Sequence, residues 1–424
     1  MNPTDGFGPQ ATLTSTECER LREAADSHGT PYFLYDADMV ADRVAAIRDS
    51  FGDLVSVYFA VKANPNLALL RALSDVVDGL DISSDGELQQ ALDAGYAADD
   101  LSFAGPAKTS AELENAVAAG TGAISLESER ELRTAIDVAK RLDTPAKVAL
   151  RINPSTDFKA FGLKMGGRPL QFGIDEEELA GIAPIFREHA EHLDFRGIHV
   201  YAGSQGFDAD SLAESYLNTL ALADRVENLL DRPVCKINLG GGFGVAHAPS
   251  DKVLDPKAVA TAAADGFRRF LDSRSTDTQL IFELGRFLVA DAGVYVARVV
   301  SIKESRGKLF AITDGGLHHH LAAAGSFGVG FRSNFSVANL SRSDAEAVTV
   351  SLAGPSCNPT DLLGKDVTLP RPEEGDLIGV LSSGSYGLTA SPILFLGRQT
   401  PAELVRQNGK VSLARARRNM QDFN

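Results

Sequence analysis

The chain has 424 residues, 44% of them apolar, enough to furnish two domains with sizeable cores. Its 57 acidic against 41 basic side chains leave a formal charge of -16, scattered along the sequence, which argues for solubility and against nucleic acid or an anionic membrane as partner. No apolar run reaches the length of about 18 residues that a membrane span needs, residues 1–10 lack the marks of a signal peptide, and Cys18, Cys235 and Cys357 have neither disulfide nor metal spacing, so a cytoplasmic protein is expected.

After a polar start, PYFLYD (31–36) reads as a strand and 37–49 as an amphipathic helix. A rhythm then sets in. Short apolar runs end at Lys62, Ser83, Pro106, Ser128, Pro154, Ser204, Gly242 and Gly285. Helical segments lie between them, among them TSAELENAVAAG, with Thr109 to start it and Gly120 to stop it, and DEEELAGIAPIFREHAEHL. This alternation predicts an α/β fold, a (β/α)8 TIM-type barrel over 37–285. From Gly293 the pattern becomes strands joined by short turns (VYVARVVSIKES, KLFAITDGG, AVTVSLAGP, DLIGVLSSGS), which predicts a C-terminal antiparallel β-domain over 286–424. PYFLYD needs partner strands outside the barrel, so residues 1–36 are expected to contribute to that second domain.

In such barrels the working side chains stand at the C-terminal ends of strands, with phosphate commonly bound after strands 7 and 8. Lys62 ends the first barrel strand in YFAVKANPN. Buried there, its amine is expected to have a depressed pKa and to serve as an imine-forming nucleophile; the plainer alternative is an ion pair with an acid near Asp81 or Glu87. Gly240, Gly241 and Gly242 end strand 7, and Gly285 and Arg286 end strand 8, where bare backbone N–H groups suit a phosphate, although a tight turn explains a triple glycine equally well. Glu283, pointing inward, needs a cation or a protonated ring nitrogen. Amine, phosphate cradle and buried carboxylate together suit pyridoxal 5'-phosphate. His199, at the end of strand 6, is placed either as a core residue or as a ring that stacks on a flat cofactor, with Ser204 in reach of the phosphate.

The ordered motifs YFAVKANPN, DISSDGEL, HVYAGSQ, LGGGFG, ELGRFLVADAG, GPSCNPTDLLG and GSYG resemble the fold-type III pyridoxal-phosphate decarboxylases, the ornithine and diaminopimelate decarboxylase group, over nearly the whole chain. The resemblance implies Lys62 as Schiff-base lysine, His199 stacked on the ring and Glu283 on the pyridine nitrogen. It implies Ser204, Gly240, Gly241, Gly242, Gly285, Arg286 and Tyr386 around the phosphate, with Arg286 also toward substrate. It further implies a homodimer with shared active sites, in which Cys357 enters from the partner subunit as the proton donor and Asp361 is a nearby substrate-facing acid. Without the motif, a buried thiol and a helix N-cap are the readings for those two. Relatives acting on diamino substrates carry an acid directly after the cysteine; here Asn358 stands there, which disfavours a basic substrate tail.

FKAFGLKMGGRPLQFGID (158–175), TDGGLHHHLAAAGSFG (313–328) and SPILFLGRQTPAEL (391–404) are similar to a narrower subgroup, that of the butirosin-pathway glutamyl-carrier-protein decarboxylase and the exosortase-associated decarboxylases. Consecutive His318, His319 and His320 cannot all face one ion on a regular element, so no metal is assigned. The leading reading is α-decarboxylation of an L-amino acid or amino acid conjugate, small or tethered to a carrier protein. Decarboxylation of free diaminopimelate, ornithine or lysine, racemisation on the same scaffold, and a non-catalytic cofactor-binding homologue remain alternatives.

Overall fold

The computed structural model describes residues 6–156, 161–248, 250–325 and 334–423. The motif stretches at 157–160 and 326–328 lie outside them. Eight parallel strands close into a barrel: β2 (Ser56–Ala60), β3 (Gly79–Ile82), β4 (Leu101–Phe103), β5 (Ala123–Leu126), β6 (Ala146–Asn153), β9 (Leu193–His199), β11 (Lys236–Asn238) and β12 (Gln279–Leu284), with β5 pairing β6 and β12 pairing β2. β1 (Tyr32–Asp36) precedes the barrel, β7 (Phe161–Lys164) and β8 (Ile174–Asp175) follow β6, and β10 (Gly203–Gly206) follows β9.

Local chemistry explains the helices that separate the strands. Ser110–Ala119 opens on a capping box, Thr109 accepting from Glu112 N–H while Glu112 returns to the Thr109 backbone, and it closes on left-handed Gly120. Ala37–Phe51 is capped by Asp36 and buries Val40, Val44, Ile47 and Phe51, one stripe at helical spacing against the barrel.

The second domain is a mostly antiparallel sheet of β13 (Gly293–Ser305), β14 (Lys308–Thr313), β15 (Val337–Asn339), β16 (Ala347–Ala353), β17 (Leu362–Pro370), β18 (Leu377–Val380), β19 (Ala402–Gln407) and β20 (Lys410–Arg415). β1 lies inside this sheet, antiparallel to β13 and parallel to β19, and all five of its residues are buried. Two pairings are parallel, β1 with β19 and β14 with β16, so the sheet departs from the purely antiparallel expectation. The polar start also carries a helix, Ser15–His28, that a charge-rich sequence conceals; Leu21, Ala24 and Ala25 are its buried face. No described helix is long and apolar enough to cross a membrane.

Asn-Pro-Asn after Lys62 joins the two domains. Asn64 donates to Gly384 O at 2.9 Å, Asn66 donates to Glu403 Oε2 at 3.2 Å, and Tyr35 O–H meets the other Glu403 oxygen at 2.8 Å. Asn66 also caps Leu67–Ala72. Asn66→Ala removes the cap and one hydrogen bond to Glu403 Oε2, which keeps Arg415 Nε at 2.9 Å, and should cost about 1 kcal/mol of stability, read as a lowered urea midpoint with unchanged slope.

Candidate active site

The first barrel strand stops at Ala60, and Lys62 sits in a single 3-10 turn, Val61–Ala63, that tips it over the barrel mouth. Its Nζ lies 2.8 Å from Glu283 Oε1 and 3.2 Å from Asp81 Oδ2. Both carboxylates are sealed from solvent. Burial alone would lower the Lys62 pKa, but Glu283 and Asp81 outweigh it and hold it well above the ordinary lysine value, which corrects the expectation of a depressed amine. The two acids are driven apart. Burial and the neighbouring Glu283 push Asp81 well up, whereas Glu283, despite burial, is pulled well below the carboxylate range by Lys62 and His199. The Lys62 ammonium therefore favours the ionised form of Glu283, while burial and Glu283 favour the protonated form of Asp81.

His199 ends β9 and is buried. Its Nδ1 is 3.1 Å from Ser125 Oγ, and its Nε2 is 3.2 Å from Glu283 Oε2, off the line that a hydrogen bond requires, so both of those atoms lack a hydrogen-bond partner. Burial lowers its pKa and keeps the ring neutral. With its edges turned to Ser125 and Glu283, what His199 has left to offer is its face.

Ser204 is not the continuation of β9. The strand ends at His199, and Ser204 lies on the separate β10, paired with β7 in a small antiparallel ribbon. Beside it the glycine turn is locked to its surroundings: Gly240 O accepts from Glu283 N–H, Gly241 O from Tyr216 O–H and Gly242 O from Gly206 N–H. Gly240 N–H is taken by Asn238, so the remaining capacity is in the N–H groups of Gly241 and Gly242, the polarity an anion needs. Only glycine fits. Gly242 has a φ of +100°, and a Cβ there would stand 2.7 Å from the Phe161 ring.

Lys62, Tyr201, Ser204, Gly242, Glu283, Gly285, Arg286 and Tyr386 line one cleft. Arg286 stacks on Tyr386, Cζ to ring centroid 4.7 Å, and Tyr386 N–H donates to Ala63 O at 2.8 Å, tying the β-domain to the lysine turn. Gly240 and Gly241 are not among the residues that line it. Cys357 is exposed on the β-domain surface and is no part of the cleft lining either. Asn358 is half-buried beside it. Asp361 is buried, its two oxygens accepting from Leu317 N–H at 2.6 Å and Ser356 N–H at 3.0 Å.

The family profile described as "Pyridoxal-dependent decarboxylase, pyridoxal binding domain" matches residues 37–290. The chain belongs to the pyridoxal-dependent decarboxylases. It is 40% identical over 402 residues to the L-glutamyl-(BtrI acyl-carrier protein) decarboxylase of Niallia circulans, covering 93% of this chain and 92% of that one. It is 30% identical to the diaminopimelate decarboxylase of Aquifex aeolicus, with 94% and 92% covered. The structure of Helicobacter pylori diaminopimelate decarboxylase complexed with L-lysine superposes with a TM-score of 0.84 at 27% identity, covering 95% of this chain and 98% of that one.

The residues present fit pyridoxal phosphate: an amine for its aldehyde, an ionised buried carboxylate with an oxygen to spare for its ring nitrogen, and N–H donors with an arginine for its phosphate. Asp81, which the sequence offered as an ion-pair partner of Lys62, stands in that place, whereas Ser125 and Tyr201 join the site without having been expected there. Asp81, in DGLDISS, ends a strand as Lys62 nearly does, and that position was the available signal.

In the histidine run, His319 and His320 make hydrogen-bonding contacts within the β-domain, whereas both ring nitrogens of buried His318 lack a hydrogen-bond partner. His319 lies 3.1 Å from Tyr295 O–H and 2.8 Å from Gln399 O, and His320 lies 2.9 Å from Ser383 Oγ. Among the described residues no three metal-ligating side chains converge.

The charge triad sets a pH signature. In the wild type Glu283, depressed below its unfolded pKa, contributes stability that is present above that value and lost as pH falls through the folded one. In Lys62→Ala the two carboxyls face each other without a cation, both folded pKa values rise above the unfolded ones, and stability falls as pH rises. The gap in urea midpoint between cofactor-stripped wild type and Lys62→Ala should widen from about pH 5 to about pH 8; a constant gap rejects the coupling.

Proposed function

We propose that this decarboxylase removes the α-carboxylate of an L-amino acid whose far end is not a free ammonium, an acyl amino acid tethered to a carrier protein being the foremost candidate, and that it works as a homodimer with shared active sites. The reading rests on one observation: the residue after Cys357 is the neutral Asn358. The similarity to a carrier-protein decarboxylase, 40% against 30% for the Aquifex diaminopimelate enzyme, supports it.

When bound, pyridoxal phosphate supplies the electron sink for the bond broken at Cα. Lys62 holds it covalently and later releases the product amine. Glu283, ionised, keeps a proton on the ring nitrogen, the state in which the sink is strongest. His199 presents its ring face. Ser204, Gly241, Gly242, Gly285, Arg286 and Tyr386 would hold the phosphate, Gly240 having its N–H engaged by Asn238, and Arg286 would also orient the substrate. Cys357 delivers a proton to Cα.

Its exposure on its own protomer is the support for the dimer: a proton donor with no cleft of its own needs a second copy to complete a site. Three free cysteines suit a reducing compartment such as the cytoplasm.

Borohydride treatment should fix the cofactor on Lys62, located by peptide mass; labelling elsewhere defeats the assignment. Mixing inactive Lys62→Ala with inactive Cys357→Ala under subunit exchange should restore up to about a quarter of wild-type sites, one intact site per heterodimer. No recovery despite exchange means that sites are not shared. Carbon dioxide release should be faster from glutamyl thioesters of a carrier protein than from free lysine, ornithine or diaminopimelate. A kcat/KM of about 10⁴ M⁻¹s⁻¹ or more on those free substrates rejects the proposed substrate class.

A further inference from the structure

The glycine turn owes its polarity to groups outside it. In a trans peptide the C=O and the N–H of the next residue point to opposite sides, so whatever holds one of them aims the other. Gly240 O and Gly242 O are held at 2.8 Å by backbone N–H groups, of Glu283 and Gly206, and Gly241 O is held at 2.6 Å by the Tyr216 hydroxyl. Of these three ties, that from Tyr216 alone comes from a side chain.

The tie falls where the backbone is least determined by its own residues. Glycines flank the peptide on both sides, neither with a Cβ to restrict its rotation, and Gly242 stands at a φ of +100°. Without an anchor that plane is free to turn over. With Gly241 O drawn toward Tyr216, on the helix Ala209–Leu230 outside the barrel, Gly242 N–H is aimed away from that helix, and Gly242 is one of the residues that line the cleft. Tyr216 is itself fixed. It is buried, and its ring centroid lies 5.1 Å from that of Phe282 and 6.4 Å from that of Phe267. Burial pushes its pKa well up, so the hydroxyl keeps the proton that it donates.

We propose that Tyr216 is a positioning residue for the cofactor phosphate: its hydroxyl sets the Gly241–Gly242 peptide so that Gly242 N–H faces the cleft as a donor to an anion. The inference rests on the reading that the glycine turn receives the phosphate. Tyr216 acts through the peptide plane, and its part is to have the donor in place before the anion arrives.

Tyr216→Phe is the test variant, because it removes the hydroxyl and keeps the ring against Phe282 and Phe267. Full-length protein stripped of cofactor is titrated, by absorbance, with pyridoxal 5'-phosphate and with pyridoxal, which has the same ring and aldehyde but no phosphate. The variant should lose about fivefold in affinity for the phosphorylated form and stay within about twofold of wild type for pyridoxal. Tyr96→Phe is the control. Buried Tyr96 also donates to a backbone carbonyl, Leu70 O at 3.1 Å, but in the helix Leu67–Ala72 and not in the turn, so its loss should lower the urea midpoint while leaving the ratio of the two affinities unchanged. An unchanged ratio in Tyr216→Phe, or an equal change in Tyr96→Phe, overturns the role of Tyr216; a wild-type preference for the phosphorylated form then leaves the assignment of the turn standing. If wild type binds the two forms within about twofold of each other, that assignment falls and the role of Tyr216 falls with it.

Discussion

Everything at the barrel mouth depends on one ammonium held between two buried carboxyl groups. Lys62 cannot stand on an apolar strand end without partners, and Glu283 and Asp81 cannot share a dry site without a cation. The arrangement resolves by unequal sharing. Lys62 and His199 hold the Glu283 carboxyl low, whereas burial and the neighbouring Glu283 hold Asp81 high. Two carboxyls in contact with one lysine are thereby driven apart in acidity.

That triad is rigid because its neighbours are engaged elsewhere. Glu283 N–H is tied to Gly240 O, His199 to Ser125, and the lysine turn to Tyr386 through Ala63 O. The last link crosses between domains. With Asn64 on Gly384 and Asn66 on Glu403, it fixes the β-domain against the barrel along the segment that leaves Lys62. Asn64 and Asn66 thus couple the Lys62 turn to the second domain, whose surface carries Cys357.

Much of this was legible in the sequence. The alternation of apolar runs with capped helices is a local signal, and it marked the eight barrel strands because parallel strands buried on both faces must be nearly all apolar. Where it misled, the cause was also local. HVYAGSQ reads as one strand through Ser204, yet the backbone turns after His199 and Ser204 pairs with Leu163 instead, a contact that periodicity does not encode. The helix Ser15–His28 escaped because three buried side chains among acids and arginines make a weak stripe.

Residue chemistry by itself determined that a lysine, a carboxylate and glycine turns stand at successive strand ends, since each type is costly there without a purpose, and the ordered motifs tied them to pyridoxal phosphate. Tertiary structure alone decided their states and their company. The raised Lys62 and Asp81 pKa values, the edge contacts of His199, and the recruitment of β1 between β13 and β19 all arise from groups far apart in the chain meeting in the interior. The strength and sign of such interactions depend on distance and burial, quantities a linear sequence does not contain.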